Sequence, residues 1–253
     1  MPQPFEIDLN IDVDATPEEV WEAISTGPGM DSWFLGHIDI EPREGGAVRW
    51  TVGGFGQDAT VKTWDPPNRI VTTTGEDPDG SRHSFDYSVT PREGGRSNVR
   101  YVHSGMLGGD WEAEYEAMGE GDPMYLFKLG QYLGHFKGRF GVSVDVFGPN
   151  VPDTDEVMSG FGHALGIGDV SIGDSVTLKP DGLPPIEGEV DARSVHFLGV
   201  ISDDAIYRFI HGFTGQTMIG HHFFAEGSDQ RRLEDDWRAW LERTFAGAAG
   251  ASG

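Results

Sequence analysis

The chain has 253 residues, 42 Asp plus Glu against 18 Lys plus Arg, no cysteine and a formal charge of −24 at pH 7. Such a field repels phosphate backbones and anionic lipid, so no nucleic acid and no membrane surface is expected as a partner. The missing cysteines exclude disulfides, thiolate metal sites and cysteine nucleophiles.

With 37% hydrophobic residues, seven Trp, fifteen Phe and no apolar run near 18 residues, the composition is that of a soluble globular protein. Only four of the basic residues are Lys. The opening "MPQPFEIDLNIDVDA" alternates apolar and acidic side chains and has neither the basic nor the apolar region of a secretory signal. A cytoplasmic location is therefore expected.

Phe5, Ile7, Leu9, Ile11 and Val13 recur at period two and predict a half-buried strand. "ATPEEVWEAIS" then predicts a short helix, with Thr16 as cap, Pro17 at the first helical position and Glu19 at capping-box spacing. Strand-like runs follow in "AVRWTV", "ATVKTWD", "RIVTTT", "HSFDYSVT" and "SNVRYVHS", separated by "REGG", "DPPN", "EDPDG" and "REGG". That is an antiparallel meander. "GGFGQ" at 53–57 follows no strand-to-helix switch and reads as a hairpin rather than a dinucleotide loop.

From Asp122, a plausible cap with Pro123 behind it, Tyr125, Leu129, Tyr132, Leu133, Phe136 and Phe140 recur at helical spacing, with Lys128, Gln131, His135 and Arg139 off that stripe. A long helix starting at 122 is expected, preceded by an acidic insertion over 108–122 whose Glu112, Glu114 and Glu116 form a solvated edge, a lid or a cation site.

The second half repeats the program. "GVSVDVFG" predicts a strand, and Asp153 with Glu156 a capped helix carrying Val157, Phe161 and Leu165. "SVTLKP", "EGEVDA", "VHFLGVIS", "AIYRFIHG" and "MIGHHFFAE" predict further strands, and Leu233, Trp237, Trp240, Leu241 and Phe245 a closing helix from near Ser228. The interval from short helix to long helix is 106 residues in the first copy (16 to 122) and 75 in the second (153 to 228). The expected architecture is α+β, with two tandem copies of a sheet gripping a helix, over 1–141 and 142–253.

In a strand, His221 and His222 point to opposite faces and cannot both reach one ion, so they are expected as core or surface side chains. The nine histidines show no ligand spacing, and neither a metal nor a cofactor is expected.

The opening "FEIDLNIDVDATPEEVWEAI", then "DSWFLG", "WDPPNRIV" and the terminal amphipathic helix, resemble the START-like (SRPBCC, helix-grip) superfamily. Within it they are nearest to activator-of-heat-shock-ATPase homologues. The resemblance covers residues 5 to 141; residues 142 to 246 share only the pattern. It implies a seven-stranded antiparallel sheet round a long C-terminal helix, with an apolar cavity between them. Relatives bind lipids, hormones or polyketides there, and some catalyse cyclisation, dehydration or hydrolysis. The chaperone-activating role of the founding relatives depends on additional regions not found in this sequence.

On that pattern Trp33, Phe34, Trp50, Phe85, Tyr87, Tyr101, His103, Tyr125, Leu129, Tyr132 and Phe136 are the expected ligand wall, mostly apolar with a few oriented polar groups. Asp31 and His37 lie near its mouth. Three functions follow. The first is a binding protein for a small apolar or aromatic ligand. The second is an enzyme in which His103, with Tyr101 or Tyr87, moves a proton on a natural-product-like substrate. The third is a protein-interaction or stress-related module whose cavity is filled by its own rings. The shorter second copy, filled by Trp237, Trp240 and Phe245, is expected as a packed companion that covers the first or builds a homodimer.

Overall fold

The computed structural model describes residues 1–212 and 214–247. The chain divides into two compact units, Met1–Phe140 and a second beginning at Gly141. Each is an antiparallel sheet closed by a helix, the helix-grip arrangement of the α+β class.

The first unit runs β1 (Gln3–Val13), α1 (Pro17–Ser25), α2 (Gly27–Met30), β2 (His37–Ile40), β3 (Ala47–Val52), β4 (Phe55–Asp65), β5 (Arg69–Thr74), β6 (Arg82–Arg92), β7 (Arg96–Leu107) and α3 (Trp111–His135). Its seven strands lie in the order β1-β7-β6-β5-β4-β3-β2. The first strand thus pairs with the last. The capping box forms as its spacing predicts: Thr16 Oγ1 accepts from the Glu19 N–H at 3.3 Å, and the Glu19 carboxylate accepts from the Thr16 N–H at 2.8 Å.

Register sets the inner face. Ile7 lies opposite His103 and Leu9 opposite Tyr101; Phe85 lies opposite His103, Tyr87 opposite Tyr101 and Val89 opposite Val99. All of these side chains share the side on which α3 packs. Two short elements, α2 and β2, carried no pattern long enough to read.

The expected start of α3 at Asp122 is corrected. The helix begins at Trp111, and Pro123 lies inside it. Asp122 and Pro123 mark a start only where the residues before them resist helix. Here Glu112, Ala113, Glu114, Glu116, Ala117 and Met118 are good helix formers and carry the helix through the proline. The "acidic insertion" is therefore the front half of α3. The predicted stripe also shifts. Phe140 lies beyond the helix and is 54% exposed, whereas Lys128, placed off the stripe, is fully buried with its ammonium 6.0 Å from the Tyr125 ring centroid.

The second unit runs β8 (Val142–Asn150), α4 (Thr154–Leu165), β9 (Ser175–Leu178), β10 (Ile186–Arg193), β11 (Phe197–Ile201), β12 (Ala205–His211), β13 (Gln216–Phe223) and α5 (Gln230–Thr244). The order β8-β13-β12-β11-β10-β9 repeats the first-with-last pairing using six strands. Asp153 accepts from the Glu156 N–H at 2.9 Å at the start of α4, and Gly166 ends it at φ 70. One core joins Val144, Phe161, Val200, Phe209, Ile219, Trp237, Trp240, Leu241 and Phe245.

His221 and His222 alternate across β13 as expected, and both are fully buried. The His221 ring meets Trp237 edge-on at 4.4 Å, and its Nδ1 accepts from the Arg208 N–H at 3.1 Å. On the opposite face Arg208, itself fully buried, holds Asp191 through two hydrogen bonds of 2.9 and 2.7 Å. Gly199 makes room for that pair, since a Cβ there would stand 2.6 Å from both Arg208 Nη1 and Asp191 Oδ1.

Candidate functional site in the first unit

The helix α3 packs mainly on β1, with α1 and β7 next. Beneath it the inner face is sealed: Val99 and Leu107 are 0% exposed, and Tyr101 and His103 are 5% exposed. Farther across the sheet the same face stays accessible. Trp50 of β3, Thr72 of β5, and Phe85 and Tyr87 of β6 are only half-buried. A partly open inner face lined by rings is the feature on which the site rests.

A loop closes the far side of this face. Trp33 is fully buried and donates its Nε1–H to the Ala23 carbonyl at 2.9 Å, while Trp50 donates its Nε1–H to the Leu35 carbonyl at 2.6 Å. Gly36, at φ +79, allows that approach; a Cβ there would stand 2.4 Å from the Thr51 carbonyl oxygen. The clamp sets Phe34 4.9 Å from Tyr125 of α3 and 6.2 Å from Trp50, centroid to centroid. Phe34 and Tyr125 are half-buried.

The closed side is polar. His103 Nδ1 lies 2.8 Å from Asp122 Oδ2, and His103 Nε2 lies 3.0 Å from His83 Nδ1. His83 Nε2 stands 3.6 Å from Glu114 Oε1, too far for a hydrogen bond. The Tyr101 hydroxyl donates to Asp122 Oδ1 across a long 3.5 Å, and the Tyr101 ring packs on Tyr87 at 4.7 Å. Phe5 and Phe85 flank His103 at 5.0 and 4.5 Å.

Burial, and then the neighbouring His103, hold the His83 imidazole below its ordinary range. Burial pushes the Glu114 carboxyl and the Tyr87 and Tyr101 phenols up, so the two tyrosines stay neutral hydroxyls at any working pH.

Of the expected wall, Phe34, Trp50, Phe85, Tyr87 and Tyr125 border the open part, and Tyr101 and His103 its polar margin. Trp33, Leu129, Tyr132 and Phe136 are at most 2% exposed and pack the core beneath α3; the Tyr132 hydroxyl donates to the Arg139 carbonyl at 3.0 Å. Asp31 pairs instead with His37 and the Ile38 N–H in the loop before β2. Neither Asp122 nor Glu114 was expected beside these residues; Glu114 was expected as part of a solvated edge, a lid or a cation site. His83 had a signal, two residues from Phe85 on the inner face of one strand. Asp122 had been read as a cap, which hid its carboxylate from consideration.

Among the described residues no group of three or more His, Asp or Glu side chains is arranged to hold a metal ion. Nor, among them, is any helix long and apolar enough to cross a membrane.

Residues 14–134 match the model of the family described as activator of Hsp90 ATPase homolog 1-like protein. No curated protein matches the chain. Among solved structures, protein MLL2253 from Mesorhizobium loti is 22% identical, covering 51% of this chain and 96% of its own, with a TM-score of 0.46. The Aha1 dimer from Colwellia psychrerythraea is 24% identical over 53% of this chain and 99% of its own, at a TM-score of 0.44. DynU16, in the dynemicin biosynthetic locus, is 19% identical over 96% of each chain, at a TM-score of 0.45. Over residues 14–134 the first unit is thus similar to the activator of Hsp90 ATPase homolog 1-like family, and its strand order and closing helix are those of a helix-grip domain.

Proposed function

We propose that the first unit binds a small apolar or aromatic ligand on the part of its inner sheet face that α3 leaves uncovered. The observation that carries this reading is the half-buried row of Trp50, Phe85 and Tyr87 facing Phe34 and Tyr125. Aromatic rings on an inner face gain by removal from water, and a flat guest supplies that burial at about 25 cal/mol per Å² of apolar surface. The Tyr87 hydroxyl and the His83 imidazole, which the His103–Asp122 pair orients, give such a guest a polar edge.

The test is thermal unfolding of the whole chain against two-ring aromatics, starting with 2-naphthol and 2-methoxynaphthalene. A ligand held only by the folded state stabilises it by about 2.7 kcal/mol at a hundredfold excess over Kd, a rise of several degrees. Substituting Phe85→Ala or Phe34→Ala is expected to abolish the rise. A rise that survives both substitutions places the ligand elsewhere and ends this reading.

A second reading, a proton-transfer enzyme in the same place, is favoured by the run of hydrogen bonds from Asp122 through His103 to His83. Both ring nitrogens of His103 are engaged there, so His103 would position a reacting partner rather than touch the substrate.

A further inference from the structure

The polarity of the Asp122–His103–His83 run follows from the donors and acceptors in it. A carboxylate only accepts, so the 2.8 Å contact with Asp122 requires a proton on His103 Nδ1. A neutral imidazole carries one N–H, which leaves His103 Nε2 an acceptor. The 3.0 Å contact with His83 then requires the proton on His83 Nδ1. The His83 Nε2 lone pair is thereby left facing the Glu114 side, where a second acceptor, Oε1, stands 3.6 Å away. Two acceptors face each other, and the arrangement calls for a donor between or beside them.

The approach to that nitrogen is lightly covered. From Trp111 to Gly121 α3 carries no buried side chain, and its buried face begins at Met124. On the sheet side the His83 ring is stacked on Phe85, 6.2 Å between centroids and 9° between planes. A flat ring seated beside Phe85 brings a substituent on its edge toward Nε2.

We infer that His83 Nε2 is the polar anchor of the ligand site, and that it accepts a hydrogen bond from a free hydroxyl on an aromatic ligand, a phenol or an enol. This rests on the ligand-binding reading above and narrows it. Ligands whose only polar edge is an acceptor, such as an ether, a quinone or an ester, meet two acceptors there and are disfavoured. Asp122 and His103 do not touch the ligand; they fix which His83 nitrogen is bare.

The matched pair 2-naphthol and 2-methoxynaphthalene separates the possibilities, because a methyl group replaces the hydroxyl hydrogen in the ether, which keeps the ring and the oxygen but cannot donate. The expected result is that the whole chain binds the naphthol about tenfold more tightly, the ratio one well-placed hydrogen bond gives. His83→Phe, which keeps a ring in place, is expected to bring the two affinities together. Equal affinities in the unsubstituted protein overturn the anchor and leave the ligand-binding reading standing; binding of neither compound overturns both.

Nitrogen-15 NMR of the imidazoles at neutral pH gives a second readout that needs no ligand and no variant. Both His83 and His103 are expected protonated on Nδ1 with Nε2 bare. A proton on His83 Nε2 ends the proposal whatever the binding ratio. Asp122→Asn tests the positioning role. With its amide N–H₂ turned to His103 Nδ1, both tautomers reverse and the preference for the hydroxyl is lost. A preference that persists with reversed tautomers overturns the anchor itself, because Nε2 then carries the proton and cannot accept.

Discussion

In the first unit the strand before the closing helix sets an imidazole, His103, against the Asp122 carboxylate of α3; in the second, the corresponding strand sets His221 edge-on against the Trp237 ring of α5. The neighbouring strands match as well, Phe85 and Tyr87 of β6 against Tyr207 and Phe209 of β12. Yet Tyr207 and Phe209 are 6% and 0% exposed, whereas Phe85 and Tyr87 are half-buried. The second unit closes its sheet with a 15-residue helix carrying Trp237, Trp240 and, at its end, Phe245, and those rings fill the interior. The first closes a larger sheet with a 25-residue helix that presents Glu114 and Asp122 toward buried histidines. One architecture thus packs dry when its sequence supplies the rings. The polar run in the first unit is therefore a property of its sequence rather than a requirement of the architecture.

The largest expected effect breaks this comparison directly. Trp240→Ala in the second unit removes a 1%-exposed indole from a filled interior and is expected to cost about 3–5 kcal/mol. Phe85→Ala in the first, at a half-buried ring, is expected to cost about 1.5 kcal/mol, because less surface returns to water and no sealed void forms. Denaturant unfolding of the whole chain, with amide exchange in β12 and β6 to assign each transition, measures both. Equal costs would show that the first interior is as full as the second.

Acid sharpens the comparison next. Burial holds His83 below its ordinary value near 6.5, so the unfolded chain binds a proton there more readily than the folded one. Its contribution is intact above pH 6.5 and is lost as pH falls from there through the depressed folded value. The titratable groups facing it are Glu114 and Asp122 from α3, Asp77 and Asp79 from the loop before β6, and His103 from β7. Glu114 acts oppositely: its raised folded value favours the protonated form, so its share grows as pH falls toward the ordinary carboxyl range, and at 42% side-chain exposure that share is screened. The expected result is a first-unit transition that weakens as pH falls below 6.5, with most of the dependence removed by His83→Phe. A slope unchanged by that substitution would assign the acid sensitivity to other groups.

Most of this was legible in the sequence, and the exceptions share a cause. Alternation exposed the long strands, and the Thr16/Glu19 and Asp153/Glu156 spacings located both short helices, because period and capping are local. The four-residue β2 and α2 are too short to carry a period. The start of α3 was misplaced because Asp122–Pro123 is a local start signal that the helix-forming run before it overrides. That single displacement hid the site: with Asp122 read as a cap, neither it nor Glu114 could be set opposite β6 and β7. Tyr101 and His103 were legible from the alternation of their own strand. Their partner was not, because pairing across a fold is a tertiary fact.

A smaller effect is expected from rebuilding the dry interior of the second unit in the first. His103→Phe with Asp122→Leu replaces a buried polar pair by apolar groups of similar size. Such exchanges come close to neutral when every partner goes; here His83 Nδ1 still loses its acceptor, so the double variant is expected to cost about 1–3 kcal/mol, less than the two single changes summed. The double variant is expected to fold and to lose the preference for 2-naphthol. A double variant as damaged as the sum of its singles would mean that the polar run is needed by the fold itself.

The smallest expected effect concerns the front half of α3. Gly119 and Gly121 precede Pro123 in the helix, and a Cβ at either meets nothing within 4 Å. Glycine in a helix interior is about 1 kcal/mol worse than alanine, so Gly119→Ala is expected to stabilise the first unit by about 0.5–1 kcal/mol where no contact opposes it. No packing requirement keeps glycine at 119. On the ligand-binding proposal, with entry past Trp111–Gly121, stiffening this stretch is expected to slow entry. Stopped-flow mixing with 2-naphthol reads that rate, and in Gly119→Ala a higher melting temperature with slower binding is expected. Higher stability with an unchanged binding rate would leave the glycine without a role in admission and would move the entrance to the Phe34–Trp50 side.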